Sequence, residues 1–256
     1  NKIVIFSKER HKIRIIESNV NFVLNFGKIL IQKNTFLWIS LFLILLVGCN
    51  TQSKVTYSSE EIVNLSKIFV NQSKTFEFTL THNNGYTLLP GNLNINKAKG
   101  KIQKPNKILI DAEIISNDFL LKLSYLTFDE KFWITNPISN KWGKIPNSDN
   151  PFREVNPIQI IVDIIANIKS SEIKSYDDNS YNISANIISN DLKSLVGEMI
   201  IPDKSVKIEL LILPNGEISE VNIIGEVQPK DTLDTVRIIK FYNWDKAIEW
   251  KEPIIK

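Results

Sequence analysis

The sequence predicts an α+β fold: one domain built on an antiparallel β-meander, with helices laid against one face of the sheet. Three observations carry this. The hydrophobic period changes from helical to two at Thr75; strand-length segments then succeed one another with connections too short for a crossover helix. Third, an isoleucine-rich helix starting at Pro157 brings an apolar face that needs a partner. Composition agrees, since 43% hydrophobic residues with only 9 Gly and 10 Pro in 256 supply a core and exclude a collagenous or disordered chain. A single Cys excludes an intramolecular disulfide, a Cys-based zinc site and an iron-sulfur cluster. The net charge of +3 is too small and scattered to be a nucleic-acid footprint.

In chain order, the first segment stands apart from this domain. Residues 1–48 hold seven of the 31 basic residues and two of the 28 acidic ones, and this excess precedes twelve residues, Phe36–Val47, of which only Ser40 is polar. A bilayer-spanning helix needs roughly 20 apolar residues, so the run is short for a permanent anchor and fits the apolar stretch of a signal peptide. Basic residues ahead of it hold that side in the cytoplasm, and the chain beyond the run is expected to be exported. Leu46-Val47-Gly48-Cys49 then resembles the bacterial lipobox, with a small residue before the cleavage point and a thiol to form the thioether. Cys49 is the expected lipid-attachment site; the bland reading is a buried free cysteine at the end of a core helix. Residues 1–32 exceed an ordinary basic leader and contain no Met, which implies a translation start assigned too far upstream, or a fragment. Residues 49–57 read as a lipidated polar tether and 58–256 as the folded domain.

Ser58-Ser-Glu-Glu61 has capping-box spacing and opens a helix over 59–71, with Ile62, Leu65, Ile68 and Phe69 at helical intervals. From Thr75, Phe76, Phe78 and Leu80 alternate with polar residues up to the turn residues Asn83-Asn84-Gly85. Strands are expected at 93–103, 107–116, 119–128 and 131–136. Asn156 caps a helix with Pro157 at its first position, and Ile158, Ile161, Ile164, Ile165 and Ile168 mark its face to about Lys169. A polar loop through Asp177–Ser180 leads to alternating Tyr181, Ile183, Ala185 and Ile187. A short helix at 190–197 and strands at 204–213, 217–228, 233–243 and 247–252 complete the chain, with Asn215-Gly216 as a hairpin signal.

Catalytic chemistry is sparse. His82 is the one histidine after residue 48, and beside a turn it reads as a solvated polar residue. No G-x-S-x-G, H-E-x-x-H or P-loop spacing is present. Asp177-Asp178-Asn179 lacks the further ligands and the glycine of a calcium loop. Trp133, Trp142, Trp244 and Trp250 offer either a stacking surface or core and rim residues. No catalytic residue, metal or cofactor is expected. What remains is a half-apolar sheet and an isoleucine-faced helix. A gap left between them would suit acyl chains; a filled core is the alternative.

Several stretches resemble the LppX/LprAFG lipoprotein family: Leu93-Asn-Ile-Asn-Lys-Ala-Lys-Gly-Lys-Ile-Gln-Lys-Pro105, Trp142-Gly-Lys-Ile-Pro146, Pro151-Phe ahead of Asn156-Pro157-Ile, Tyr181-Asn-Ile-Ser-Ala-Asn-Ile, and Asn243-Trp244-Asp-Lys-Ala-Ile-Glu-Trp-Lys-Glu-Pro253, read as a closing strand pair. Ala185 departs from a more usual glycine, and the chain is richer in Ile and Asn. The resemblance implies a LolA-like fold, a curved antiparallel half-barrel with helices on its concave face and a hydrophobic cavity between them. It further implies a noncatalytic protein that binds acyl-chain lipids or glycolipids and carries them within the cell envelope. The expected lining is Phe76, Phe78, Leu123, Ile134, Ile161, Ile164, Ile165 and Ile168. Expected partners are an acylated lipid or glycolipid, the membrane through the lipid on Cys49, and an envelope transporter; nucleic acid is not expected, and the protein is expected to be a monomer. The alternative is a surface-tethered interaction module with a filled core that binds another envelope protein.

Overall fold

The computed structural model describes residues 57–90, 93–116, 119–177 and 179–255; the readings of the leader, of Cys49 and of the tether up to Thr56 lie outside the described residues. Helix α1 (Ser59–Gln72) starts where the capping box puts it. Ser58 Oγ accepts the Glu61 N–H, and the Glu61 carboxylate accepts the Ser58 N–H at 2.7 Å, so two orphan donors of the first turn are satisfied. Its buried stripe is Ile62, Val63, Ser66 and Val70.

The chain then forms β1 (Thr75–Asn83), β2 (Thr87–Leu89), β3 (Leu93–Gln103), β4 (Lys107–Ser116), β5 (Phe119–Phe128), β6 (Lys131–Thr135) and β7 (Trp142–Ile145). Helix α2 (Pro157–Asn167) comes next, then β8 (Ser171–Tyr176), β9 (Tyr181–Ile188), the short α3 (Lys193–Val196), β10 (Ser205–Ile212), β11 (Ile218–Ile224) and β12 (Val236–Tyr242). Among the described residues these make one antiparallel sheet of twelve strands, in the order β7-β6-β5-β4-β3-β1-β12-β11-β10-β9-β8 with β2 paired to β3. The last strand joins the two meanders, because β12 pairs with β1 on one side and β11 on the other. Among the described residues nothing pairs β7 with β8, and the sheet stays open.

Register sets the two faces. Leu80, Ala98, Ala112 and Leu123 form one row across β1, β3, β4 and β5, all buried, while the next row is Thr79, Lys99, Asp111 and Ser124. On that polar face Lys99 meets Asp111 at 3.6 Å and Lys97 meets Glu113 at 3.7 Å. On the apolar face the Phe78 ring lies over Gly100, where an added Cβ would come within 2.3 Å of Phe78 Cε1. The core residues run from Tyr57 to Trp244 and come from both meanders and all three helices, so a chain from Asn50 onward carries the core contacts among the described residues.

Three expectations need correction. Residues 247–252 form no strand: β12 is already paired on both sides, so the chain leaving it crosses the polar face, where Trp250 Nε1 donates to Gln103 Oε1 and Lys131 meets Glu252 at 2.7 Å. The stretch before Asp177, read as loop, is strand β8; on an edge, with one neighbour, it needs no apolar alternation. Asp177 Oδ1 closes the turn after it by accepting from the Asn179 and Ser180 N–H groups. Strand β11 stops at Ile224 instead of running to 228, giving way to a long loop to β12.

Candidate functional site

A cavity of about 40 Å³ lies between the apolar face of the sheet and the segment that leads into α2. The sheet supplies Phe78 and Leu80 from β1, Ile95 and Ala98 from β3, Ile110 from β4, and Ile239 and Phe241 from β12. Phe152, Val155, Pro157 and Ile160 cover it from the other side, with Leu195 of α3, and β2 adds Thr87 and Leu89. The cover is held at defined points. Asn150 donates to the Tyr125 hydroxyl at 3.0 Å and accepts the Phe152 N–H at 2.9 Å, and the Tyr125 and Phe152 rings stand 4.8 Å apart. Asn156 Oδ1 accepts the Ile158 N–H at 3.2 Å, so α2 begins where the Asn-Pro pair predicts.

Thr87 is the one polar residue of that lining, and it belongs to a buried network. Asn96 O can only accept, so His82 Nδ1, 2.8 Å away, carries the proton and Nε2 accepts from the Thr87 hydroxyl at 2.9 Å. Thr87 Oγ1 in turn accepts Arg237 Nε–H at 3.2 Å. The fully buried Arg237 pairs with both oxygens of Asp231, at 2.8 and 3.0 Å, and also donates to Tyr86 O and Gln228 Oε1. Gln228 clamps Leu88 from both sides, taking its N–H at 2.9 Å and donating to its carbonyl at 2.8 Å. The network staples β2 to the β11–β12 loop.

His82 is therefore not the solvated residue the sequence suggested. Burial lowers its pKa to about 4; the hydrogen bond to Asn96 opposes this, the nearby Arg237 charge adds to it and Asp231 offsets it. Thr87 and His82 have the spacing of a nucleophile and its base. A base held so far below neutrality draws protons weakly, and Thr87 is itself buried, with its hydroxyl already donating to His82 and accepting from Arg237. Among the described residues no group of three His, Cys, Asp or Glu side chains is placed to hold a metal ion.

Of the residues expected to line a cavity, Phe78 borders this one. Phe76 is packed against Trp244 and Phe241, with ring centroids at 4.9 and 5.8 Å. Ile161, Ile164 and Ile165 are buried in the core without bordering the cavity; Leu123 is buried on β5, and Ile134 and Ile168 pack half-buried against the core. The face of α2 at the cavity is Pro157 and Ile160. Strand alternation carried Leu80 to the face of Phe78, and pairing adds Ala98 and Ile110 to it; Phe152, Val155 and Leu195 had no periodic signal, because they sit in or beside short irregular turns. The tryptophans form no common surface: Trp244 is in the core and Trp133 is buried on the opposite face of the sheet.

No family model matches the chain, and no curated protein matches it. Solved structures do. LprF from Mycobacterium bovis superposes with a TM-score of 0.59 at 14% identity, over 77% of this chain and 99% of that one. The Mycobacterium tuberculosis lipoprotein LppX superposes with a TM-score of 0.50 at 10% identity, over 75% of this chain and 99% of that one. The fold of this chain is the LolA-like fold of LprF and LppX, an open curved antiparallel sheet with helices against it, as the motif resemblance implied.

Proposed function

We propose that a chain with the fold of LprF and LppX works here as a noncatalytic, exported carrier that takes an acyl-chain lipid or glycolipid between its sheet and α2. In this reading residues 1–48 direct export, the lipid on Cys49 and the tether 49–57 hold the protein to the cell membrane, and 58–256 bind the cargo. The observation that carries it is the apolar seam between Phe78, Ala98, Ile110 and Phe241 on the sheet and Phe152, Pro157 and Ile160 on its cover, with one polar group, already engaged, at its rim. Ligand pockets commonly hold about 300–1,000 Å³. Cargo therefore enters by parting α2 and residues 152–157 from the sheet. An acyl chain gains about 0.8 kcal/mol per CH2 on leaving water, and nearly the same in a bilayer, so exchange between the two is close to thermoneutral. That suits handing cargo over, with an envelope transporter as the supplier or receiver.

The small cavity, about 40 Å³, favours a second reading: a filled domain tethered at the membrane that binds another envelope protein at an open edge, β7 or β8. Native mass spectrometry with lipid extraction, on residues 50–256, separates the two. Copurifying acyl lipid near unit stoichiometry supports the carrier; an apo mass that also takes up no added lipid supports the interaction module.

A further inference from the structure

The two ends of the sheet expose different chemistry at their turns. Register places the β4–β5 turn, the β6–β7 turn and the β11–β12 loop at one end: Asn83 faces Val236, Asn94 faces Ile115, Ser116 faces Phe119, Thr135 faces Trp142 and Ile224 faces Val236. There Phe119 is 71% exposed, Leu120 58%, Ile138 88% and Leu233 80%. The opposite end turns through Lys104-Pro105-Asn106, Asp129-Glu130, Pro214-Asn215-Gly216 and the turn after Tyr176; at those turns Tyr176, 37% exposed, is the one large apolar side chain in the open among the described residues, and Ile254 and Ile255 are exposed on the C-terminal segment beyond Glu252.

Hydrogen bonds fix the two turns that carry Ile138 and Leu233. Asn136 Oδ1 accepts the N–H groups of Ile138 and Ser139, each at 2.9 Å, which fixes the turn carrying Ile138. The turn under Leu233 is fixed by Thr232 N–H donating to Thr235 Oγ1 at 2.9 Å and by Asn84 donating to Asp234 at 2.8 Å. Lys122, Lys141 and Lys230 stand exposed around these tips, without an ion pair among the described residues. A single exposed apolar residue is ordinary; apolar side chains more than half exposed on three separate turns of one end are not. The tips stand on three turns that belong to three different strand connections, and each is a separate anchor. Separate apolar anchors with cations beside them match the interfacial layer of a bilayer carrying anionic lipid.

We propose that this end of the domain docks on a lipid surface, with Phe119, Leu120, Ile138 and Leu233 entering the interfacial layer and Lys122, Lys141 and Lys230 on anionic headgroups. Docking does not depend on the carrier reading. Residues 50–256 contain no cysteine, so Ile138→Cys, Leu233→Cys and, at the opposite end, Asn215→Cys can each carry one polarity-sensitive fluorophore. On phosphatidylcholine vesicles with about a third phosphatidylglycerol, compared with phosphatidylcholine alone, the probes at 138 and 233 brighten and shift to the blue while that at 215 does not. The double variant F119S/L120S, with an unchanged melting curve, loses at least about tenfold in vesicle partitioning. An equal response at 215, unchanged partitioning of the double variant, or no vesicle binding overturns the proposal, the last leaving a protein as the occupant. Vesicle docking without lipid uptake sinks the carrier reading alone; lipid uptake with silent probes at 138 and 233 sinks docking alone.

Discussion

His82 and Arg237 are the residues whose surroundings differ most from what their types suggest. A neutral imidazole donates to Asn96 O and accepts from Thr87, and a buried guanidinium is matched to Asp231. The imidazole makes stability depend on pH with a definite sign. Its pKa is about 4 in the folded chain and ordinarily near 6.5 in the unfolded one, so between those values the unfolded chain binds the extra proton. Stability from this group is full above pH ~6.5 and drains away as pH falls towards 4, where the loss levels off at ~3 kcal/mol. Urea midpoints of residues 50–256 across that window measure it, and His82→Asn flattens the slope; an equal slope in the variant would show the carboxylates alone to be responsible. Arg237 was legible after the fact. It occupies an inward position of β12, in step with Ile239 and Phe241, and a charge at such a position needs a buried partner. Its partners, Asp231 and Gln228, lie in a loop without periodic signal, so sequence alone could not supply them.

At the scale of elements, α2 has two apolar faces with different neighbours. Ile161, Ile164 and Ile165 fill the core, while Pro157 and Ile160 border the seam. Under the carrier reading Ile160→Phe fills the seam and cuts uptake of an added fluorescent fatty acid at least about tenfold, while overpacking costs about 1–3 kcal/mol. Ile164→Phe, which crowds the core away from the seam, should cost similar stability and leave uptake of the folded fraction unchanged. The reverse pattern would move the cargo to the face marked by the isoleucine repeat. Caps and alternation were sufficient for α1, α2 and β3 to β5, because each is set by local bonding or by a face that is buried on one side only. They failed for β2, β7 and β8. The first two are three and four residues long, the third is an edge with polar residues on both faces, and all three exist because a neighbouring strand offers a free ladder.

Across the whole molecule, the sheet depends on its last strand. Until β12 slots between β1 and β11, the N-terminal and C-terminal meanders share no ladder. Residues 50–256 are therefore expected to unfold in one step, with far-UV and near-UV circular dichroism giving coincident urea transitions; separated transitions would mean that each meander is stable alone. The order of strands within each meander was legible, since short turns make sequence neighbours space neighbours. The joint between them was not, because it rests on a pairing between segments far apart in sequence, His82 with Arg237 among others. The unpaired edges at β7 and β8 also have a mechanical meaning. In a closed barrel, strand number and shear fix the bore. Among the described residues no such hoop closes the sheet, so strand number fixes no bore here. Under the carrier reading the two free edges let the sheet spread like a spring clip as α2 moves outward, and the cargo sets the width.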